Sequence, residues 1–151
     1  MKIKKLLGSG DKIMLFTLPF IIIGIIINIL FPEWFNVGGP FKILGIISIM
    51  ILLFGIIVWI WSIYLISTNV PQNKLITSGP YSIVRHPLYT GIALLIIPWS
   101  GFLLNSWLGI LIGASLYGGC RLFAPKEEKE LSKLFGGKWE EYKSKLLIPW
   151  L

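Results

Sequence analysis

The sequence predicts an all-α fold, a polytopic membrane helical bundle of about four transmembrane helices in a single domain. Three observations lead to this prediction. Of the 151 residues, 55% are hydrophobic and only 14% are charged, whereas an ordinary soluble domain has about 25% charged residues. Long uncharged stretches alternate with short polar segments, and basic residues gather at their ends. A chain of this length cannot bury so much apolar surface in one aqueous core, so a bilayer is the expected environment.

The first half of the chain contains two apolar runs. Residues 13–31 are about long enough to cross a hydrocarbon core of about 30 Å, and they are too many for the apolar part of a secretory signal. The second run covers residues 41–66, after a turn rich in proline and glycine. Its Gly45, Ser48 and Gly55 favour close contact between helices. We therefore predict two transmembrane helices.

Two further apolar runs follow a polar loop, at residues 88–104 and 107–123. Only Asn105 and Ser106 separate them, so we predict that they form an antiparallel helical hairpin. Pro98 indicates that the first arm is bent or spans the membrane incompletely, because proline interrupts the backbone hydrogen bonds of a helix.

The last part of the chain, residues 126–147, is charged and helix-forming. Apolar side chains recur in it at spacings of three and four, which predicts an amphipathic helix. They are Leu131, Leu134, Phe135, Trp139, Tyr142 and Leu146. The charges exclude a fifth span, and Gly136-Gly137 indicates a break. We expect this helix at the membrane surface or against the polar loop.

The positions of lysine and arginine predict the orientation. With four spans, both termini lie on one side of the membrane, and that side holds every basic residue except Lys42. By the positive-inside rule, both termini and the polar loop face the cytoplasm. We therefore expect an integral membrane protein, and the isoleucine- and lysine-rich composition is typical of a prokaryotic cell membrane protein.

Two classes of partner do not fit the sequence. The net charge of +7 is spread over the ends of apolar runs and does not form the basic face that nucleic-acid binding requires. A metal site is not expected either, because Cys120 and His86 are the only cysteine and histidine, and a zinc site needs three or four ligands. Cys120 is expected to be a small buried apolar residue.

The segment before the third span carries the most chemical information. It holds the only histidine, His86, directly after Arg85. Pro87 fits the first turn of the following helix, where a missing N–H has no consequence. Arg85, His86 and the free backbone amides of that helix start would suit an anionic group. Snorkelling of Arg85 to the membrane surface and a structural His86 explain the same residues.

A second cluster lies at the inner end of the fourth span, on the same predicted side of the membrane. Arg121 is followed by the adjacent pair Glu127 and Glu128. Taken alone, the arginine is explained by snorkelling and the glutamates by the dipole of a helix start. Their convergence with Arg85 and His86 on one side of the membrane indicates a shared site.

Together the two clusters resemble the isoprenylcysteine carboxyl methyltransferase family and its phospholipid methyltransferase relatives. That family has Arg-His-Pro-x-Tyr-x-Gly after a Thr-Ser-Gly-x-Tyr turn, then Glu-Glu-x-x-Leu, Phe-Gly, two spaced aromatic residues and a late proline. The matching residues here are Thr77, Ser78, Gly79, Tyr81, Arg85, His86, Pro87, Tyr89, Gly91, Glu127, Glu128, Leu131, Phe135, Gly136, Trp139, Tyr142 and Pro149. The resemblance covers roughly residues 75–149. At Trp139 the family more often has tyrosine.

The resemblance implies methyl transfer from S-adenosyl-L-methionine in a cytosol-facing pocket beside a lipid-accessible tunnel. The residues that it assigns to the cofactor site are Leu75, Ile76, Tyr81, Arg85, His86, Pro87, Tyr89 and Glu128. It assigns the chemistry to Arg121, Glu127 and Glu128, with one glutamate binding the cofactor and Arg121 facing the substrate.

The predicted acceptor is a lipophilic substrate from the bilayer with an isoprenylcysteine-like carboxylate, and membrane lipids are the other expected partners. A carboxylate is already a nucleophile, so no general base is required. A phospholipid amine is the alternative acceptor. Two hypotheses come from other classes. Membrane sterol reductases, which use NADPH, share an Arg-His-x-x-Tyr core, and a non-catalytic membrane subunit would use His86 and Arg121 as surface anchors.

Overall fold

The structure, a computed structural model, describes residues 10–38 and 42–151. Of the described residues, 81% are helical and none forms a β-strand, so the all-α prediction is confirmed. The helices are α1 (Gly10–Leu30), α2 (Lys42–Asn69), α3 (Pro87–Leu103), α4 (Leu108–Phe135) and α5 (Gly137–Ser144). Short 3₁₀ turns lie at Pro32–Phe35, Val70–Gln72 and Gly79–Ser82.

Three helices of the described part, α1, α2 and α4, are long and apolar enough to cross a membrane. The helix α3 is also apolar but has 17 residues, which at about 1.5 Å per residue is shorter than a hydrocarbon core of about 30 Å. The predicted third span is therefore the short one. The predicted second span ends later than expected, at Asn69 instead of residue 66.

The helix α3 changes its winding along its length. Its first turn is α-helical, the segment Gly91–Ile96 is π-helical, and Ile97–Leu103 is α-helical again. Pro98 is the second residue after the π segment. Because proline has no N–H to donate to the preceding turn, a local change in winding lets the neighbouring backbone groups find partners. The irregularity that Pro98 indicates is therefore a π segment.

Small residues allow the membrane helices to approach one another. A Cβ placed on Gly55 of α2 would lie 2.7 Å from the Cβ of Leu95 in α3, and one placed on Gly113 of α4 would overlap the carbonyl oxygen of Ala93. Among the described residues, no atom of another segment lies within 4 Å of such a Cβ on Gly45. Of the two glycines predicted to make close contacts in α2, Gly55 makes one and Gly45 does not.

The helix α1 packs along α4, and the hairpin predicted between α3 and α4 is present. Ile13 is buried against Cys120 and Ala124, so Cys120 is the buried apolar residue that was expected. The turn after α3 contacts the turn after α1, because the indole N–H of Trp107 donates to the carbonyl of Trp34 at 2.9 Å. These contacts close one end of the bundle, and the motif segments lie at the other.

The last predicted span does not stop at residue 123. The helix α4 continues through Pro125 to Phe135, so residues 107–123 and the first half of the predicted tail helix, 126–147, form one helix. Pro125 removes one backbone hydrogen bond but holds a helical φ, and the residues after it are good helix formers. The break falls at Gly136, whose φ is +53°, as the glycine pair indicated.

Candidate active site

Three segments distant in sequence meet at the end of the bundle where α2 ends and α3 begins. They are the loop between α2 and α3, the last turns of α4, and α5 with the residues after it. The hydroxyl of Tyr142 donates to the carbonyl of Tyr81 at 2.8 Å, and the amide of Ile148 donates to the carbonyl of Ile83 at 2.9 Å. The tail helix therefore folds against the polar loop, one of the two arrangements expected from the sequence.

An apolar cluster fixes α5 in this position. Trp139, Tyr142 and Leu146 are buried together, and Leu75 of the loop and Leu131 of α4 pack against them. All of these residues except Leu75 lie on the apolar face of the predicted amphipathic helix. Because α5 turns back after Gly136, that face covers the loop instead of lipid.

The motif residues occupy the start of α3. His86 is the capping residue, and both the backbone N–H and the hydroxyl of Thr90 donate to its carbonyl at 3.0 Å. Pro87 takes the first turn, as predicted, and is fully buried. The geometry fixes the backbone of the motif, so the directions of the Arg85 and His86 side chains depend on a well-defined helix start.

The carboxylate of Glu128 joins both basic motif residues. Nη1 of Arg85 lies 2.9 Å and 2.8 Å from its two oxygens, and Nε2 of His86 lies 3.2 Å from Oε1. Nη2 of Arg85 also donates to the carbonyl of Pro149. The sequence predicted a site for an anion here, and the anion that the structure places against these residues is the side chain of Glu128.

A cavity of about 290 Å³ lies beside this ion-pair network, close to the lower end of the range for ligand pockets, roughly 300–1,000 Å³. Seven of the predicted site residues line it. They are Leu75, Ile76, Tyr81, Arg85, His86, Tyr89 and Glu127. Pockets with apolar walls and a few convergent polar groups are the usual form of a small-molecule site.

Three predicted site residues do not line this cavity. Pro87 is buried in the first turn of α3. Glu128 faces Arg85 and His86. Arg121 is exposed, and its Nη1 donates to the carbonyl of Trp150 at 2.7 Å. Pro87 and Glu128 therefore hold the residues that line the cavity, and Arg121 lies outside the cavity lining.

Glu130 lines the cavity and was not predicted. The sequence argument concentrated on the adjacent pair Glu127 and Glu128, but adjacent residues of a helix are about 100° apart and cannot face the same side. Residues three apart do, so Glu127 and Glu130 both line the cavity while Glu128 turns towards α3. The helical spacing is a signal that could have separated the two adjacent glutamates.

Two tyrosine hydroxyls at the site remain protonated at neutral pH. Burial raises the pKa of Tyr81, and the nearby carboxylate of Glu127 raises it further. Burial also raises the pKa of Tyr142 to about 12. Since both groups are neutral, Tyr142 can donate its hydrogen bond, and neither tyrosine adds negative charge.

The cavity combines charges of both signs with aromatic faces. Glu127 and Glu130 supply carboxylates, Lys74 and Arg85 supply cations, and Trp139 is one of the aromatic side chains. Among the described residues, no group of three or more histidine, cysteine or acidic side chains is placed to hold a metal ion. The arrangement suits a ligand that carries both a cationic and an anionic group next to an apolar part.

A comparison with protein families identifies the chain. The model of the isoprenylcysteine carboxyl methyltransferase family matches residues 41–133, more than half of the chain, and the match includes both the Arg-His-Pro motif and the glutamates of α4. No curated protein and no solved structure gave a significant match. The apolar helices agree with a protein integral to a membrane. The chain belongs to the isoprenylcysteine carboxyl methyltransferase family, and it is therefore a membrane methyltransferase.

Proposed function

We propose that this protein transfers a methyl group from S-adenosylmethionine to a lipophilic acceptor from the bilayer, and that the cofactor binds in the cavity beside the Arg85-Glu128-His86 network. The observation that carries the proposal is the placement of Glu127 and Glu130 with aromatic rings in one cavity. S-Adenosylmethionine is a sulfonium cation with an amino-acid end and an adenine, so its binding site needs charged groups of both signs and an apolar surface.

The residues present fit each part of that cofactor. The carboxylates of Glu127 and Glu130 and the face of Tyr89 suit a sulfonium, the ring through cation–π attraction. The guanidinium of Arg85, which lines the cavity, suits the carboxylate of the amino-acid end.

The apolar part of the cofactor has a matching wall as well. Leu75, Ile76 and Leu131 line the same cavity and suit an adenine. Because Leu75 also packs against the buried cluster of α5, this wall is held in place by the tail.

The chemistry requires positioning more than proton transfer. The bound cofactor supplies an electrophilic methyl group for in-line displacement by the acceptor. The chain aligns the two reactants and limits access of water, and alignment alone can lower a barrier by roughly 7–11 kcal/mol. Arg85, His86 and Glu128 act as positioning residues, because their hydrogen bonds fix the loop to α4.

The position of the cavity supports an acceptor from the bilayer. Ile66 near the end of α2 and Leu88 near the start of α3 both line it, so the cavity borders two apolar helices. We propose a carboxylate of an isoprenylcysteine-like molecule as the acceptor, with Arg121 binding the carboxylate. Arg121 would exchange its bond to the Trp150 carbonyl for that contact. The charge distribution supports a cytoplasmic orientation of the site.

Calorimetry on the purified protein, with S-adenosylmethionine and with S-adenosylhomocysteine, which lacks the sulfonium charge, tests the cofactor assignment. We expect Glu127→Gln to weaken binding of S-adenosylmethionine roughly ten-fold, because its charge-assisted contact with the sulfonium is lost, and to change binding of S-adenosylhomocysteine much less. Glu33→Gln, in the exposed turn at the other end of the bundle, is the matched control and should bind normally. Binding of NADPH in place of S-adenosylhomocysteine would overturn the proposal in favour of a reductase.

A radiolabelled-methyl assay tests the acceptor. Labelled cofactor is offered with an isoprenylcysteine-like carboxylate or with a phospholipid amine. We expect transfer to the carboxylate, and we expect Arg121→Ala to reduce that transfer at least ten-fold while S-adenosylhomocysteine binding stays unchanged. Transfer to the amine alone, or transfer to the carboxylate that survives Arg121→Ala, would contradict this assignment.

A further inference from the structure

A second and larger cavity adjoins the candidate active site. Its volume is about 720 Å³, and three lysines line it, Lys74, Lys138 and Lys145. It shares a wall with the first cavity, because six residues line both: Asn73, Lys74, Leu75, Leu134, Phe135 and Tyr142. We call it the lysine groove. It borders the loop after α2, the break between α4 and α5, and α5 itself.

The positive charge of the lysine groove is only partly neutralised. Glu141 is the one acidic residue that lines it, and its Oε1 pairs with Nζ of Lys145 at 2.6 Å. Lys74 and Lys138 have no carboxylate partner among the described residues, and these include all seven acidic residues of the chain. Three lysines against one glutamate leave a net charge of +2 at one concave surface.

The lysine groove lies where the membrane part of the protein ends. Asn69, the last residue of the apolar helix α2, lines it. Leu134 also lines it and is 65% exposed. A cationic groove beside the end of a membrane helix is close to the level of the lipid headgroups.

We propose that the lysine groove binds the headgroup of an anionic phospholipid, with the phosphate held by the ammonium groups of Lys74 and Lys138. Basic pockets at the ends of membrane helices bind such headgroups because the membrane concentrates the anion next to the cations. The volume accommodates a phosphate with its glycerol. This inference is independent of the methyl-transfer proposal.

Native mass spectrometry after extraction from bilayers tests the inference. The protein is placed in nanodiscs with equal amounts of phosphatidylglycerol and phosphatidylcholine, and the retained lipid is identified. We expect retained phosphatidylglycerol. The double variant Lys74→Gln/Lys138→Gln should reduce its retention roughly thirty-fold. The control Lys126→Gln/Lys129→Gln removes the same charge from exposed positions that line neither cavity, and it should stay within about three-fold of the wild type.

A third variant increases the charge of the lysine groove. Glu141→Gln removes its only carboxylate and releases Lys145, so retention of phosphatidylglycerol should rise roughly five-fold. Because Glu141 is exposed, this variant is expected to fold normally.

Three outcomes would overturn the inference. They are equal retention of the two lipids by the wild type, equal losses in the two double variants, and no response to Glu141→Gln. A separate arm adds glycerol 3-phosphate before extraction. If the soluble phosphate displaces the lipid at equal concentration, the natural ligand is a free phosphate compound and the assignment to a lipid is wrong.

Discussion

The membrane part of this protein and the cap at its end are stabilised by different interactions. The membrane part consists of α1, α2, α3 and residues 108–124 of α4, and the cap consists of residues 70–86 and 125–151. In the membrane part, the hydroxyl of Thr17 bonds within its own helix, to the carbonyl of Ile13 at 2.8 Å. The hydroxyl of Ser62 also bonds within its own helix. In the cap, Arg85 bonds to Glu128, 43 residues away.

This difference follows from the two solvents. In a bilayer, a polar group must be satisfied locally and apolar contact brings little gain over lipid, so helices associate through close packing of small residues. In the cap, water competes for charged groups, and a half-buried network can hold segments of different origin in one geometry. Substitutions in the membrane part should therefore change stability through side-chain volume. Substitutions in the cap should change it through charge and hydrogen bonding.

The largest effect is expected from a change of volume in the membrane part. Gly113→Ala places a Cβ against the carbonyl of Ala93, and backbone atoms must shift, which costs about 1–3 kcal/mol or more. Gly118→Ala is on the same helix, where no atom of another described segment lies within 4 Å of the added Cβ, and it should gain up to about 1 kcal/mol from helix propensity. Thermal unfolding in detergent should separate the two variants by about 2–3 kcal/mol, and equal stabilities would contradict the packing.

A change of charge in the cap should have the next largest effect. Glu128→Gln leaves the guanidinium of Arg85 without its carboxylate, and both side chains are only about one fifth exposed. We expect a loss of about 2 kcal/mol, between the values for exposed and fully buried pairs. Glu130→Gln changes an exposed neighbour on another face of α4 and should leave the melting temperature unchanged. A similar loss in both variants would show that the network does not stabilise the cap.

Much of the membrane part was predictable from sequence. Helical spans are long and uncharged because the bilayer demands it, so their existence and the hairpin at Asn105 and Ser106 follow from composition alone. The length of α3 and the π segment before Pro98 did not follow, because helical winding depends on contacts with neighbouring helices. The continuity of α4 through Pro125 was also missed, since the change in composition there marks the end of the membrane and not the end of the helix.

The site was predictable as a set of residues but not as a geometry. The motif residues brought together by the fold include Tyr81, His86 and Tyr89, all at the cavity wall. Which glutamate faces the cavity depends on the rotation of α4, which is set by its packing on α1 and α3. The bond of Arg121 to the Trp150 carbonyl depends on the path of the tail, and no local pattern in the sequence specifies that path.

The smallest change in stability is expected from the loss of a single hydrogen bond in the cap. Tyr142→Phe removes the donor to the Tyr81 carbonyl and keeps the ring, so the free energy of unfolding should fall by about 1 kcal/mol. Tyr64→Phe is the control, because Tyr64 is 62% exposed on α2. Thermal unfolding measures both variants, and equal losses would show that this hydrogen bond does not stabilise the cap.

The same tyrosine should make stability depend on alkaline pH. Burial raises the pKa of Tyr142 from its ordinary value of 10.0 to about 12, so the folded state keeps a proton that the unfolded state loses. The contribution of this proton to stability is complete below the pKa of the unfolded state, and it is lost as the pH rises through the pKa of the folded state. Between these two values the wild type should lose stability more steeply than Tyr142→Phe.

Tyr81, whose pKa burial also raises, remains in both proteins, so the difference between the two slopes isolates Tyr142. Parallel slopes would show that the hydroxyl of Tyr142 is not buried in the cap.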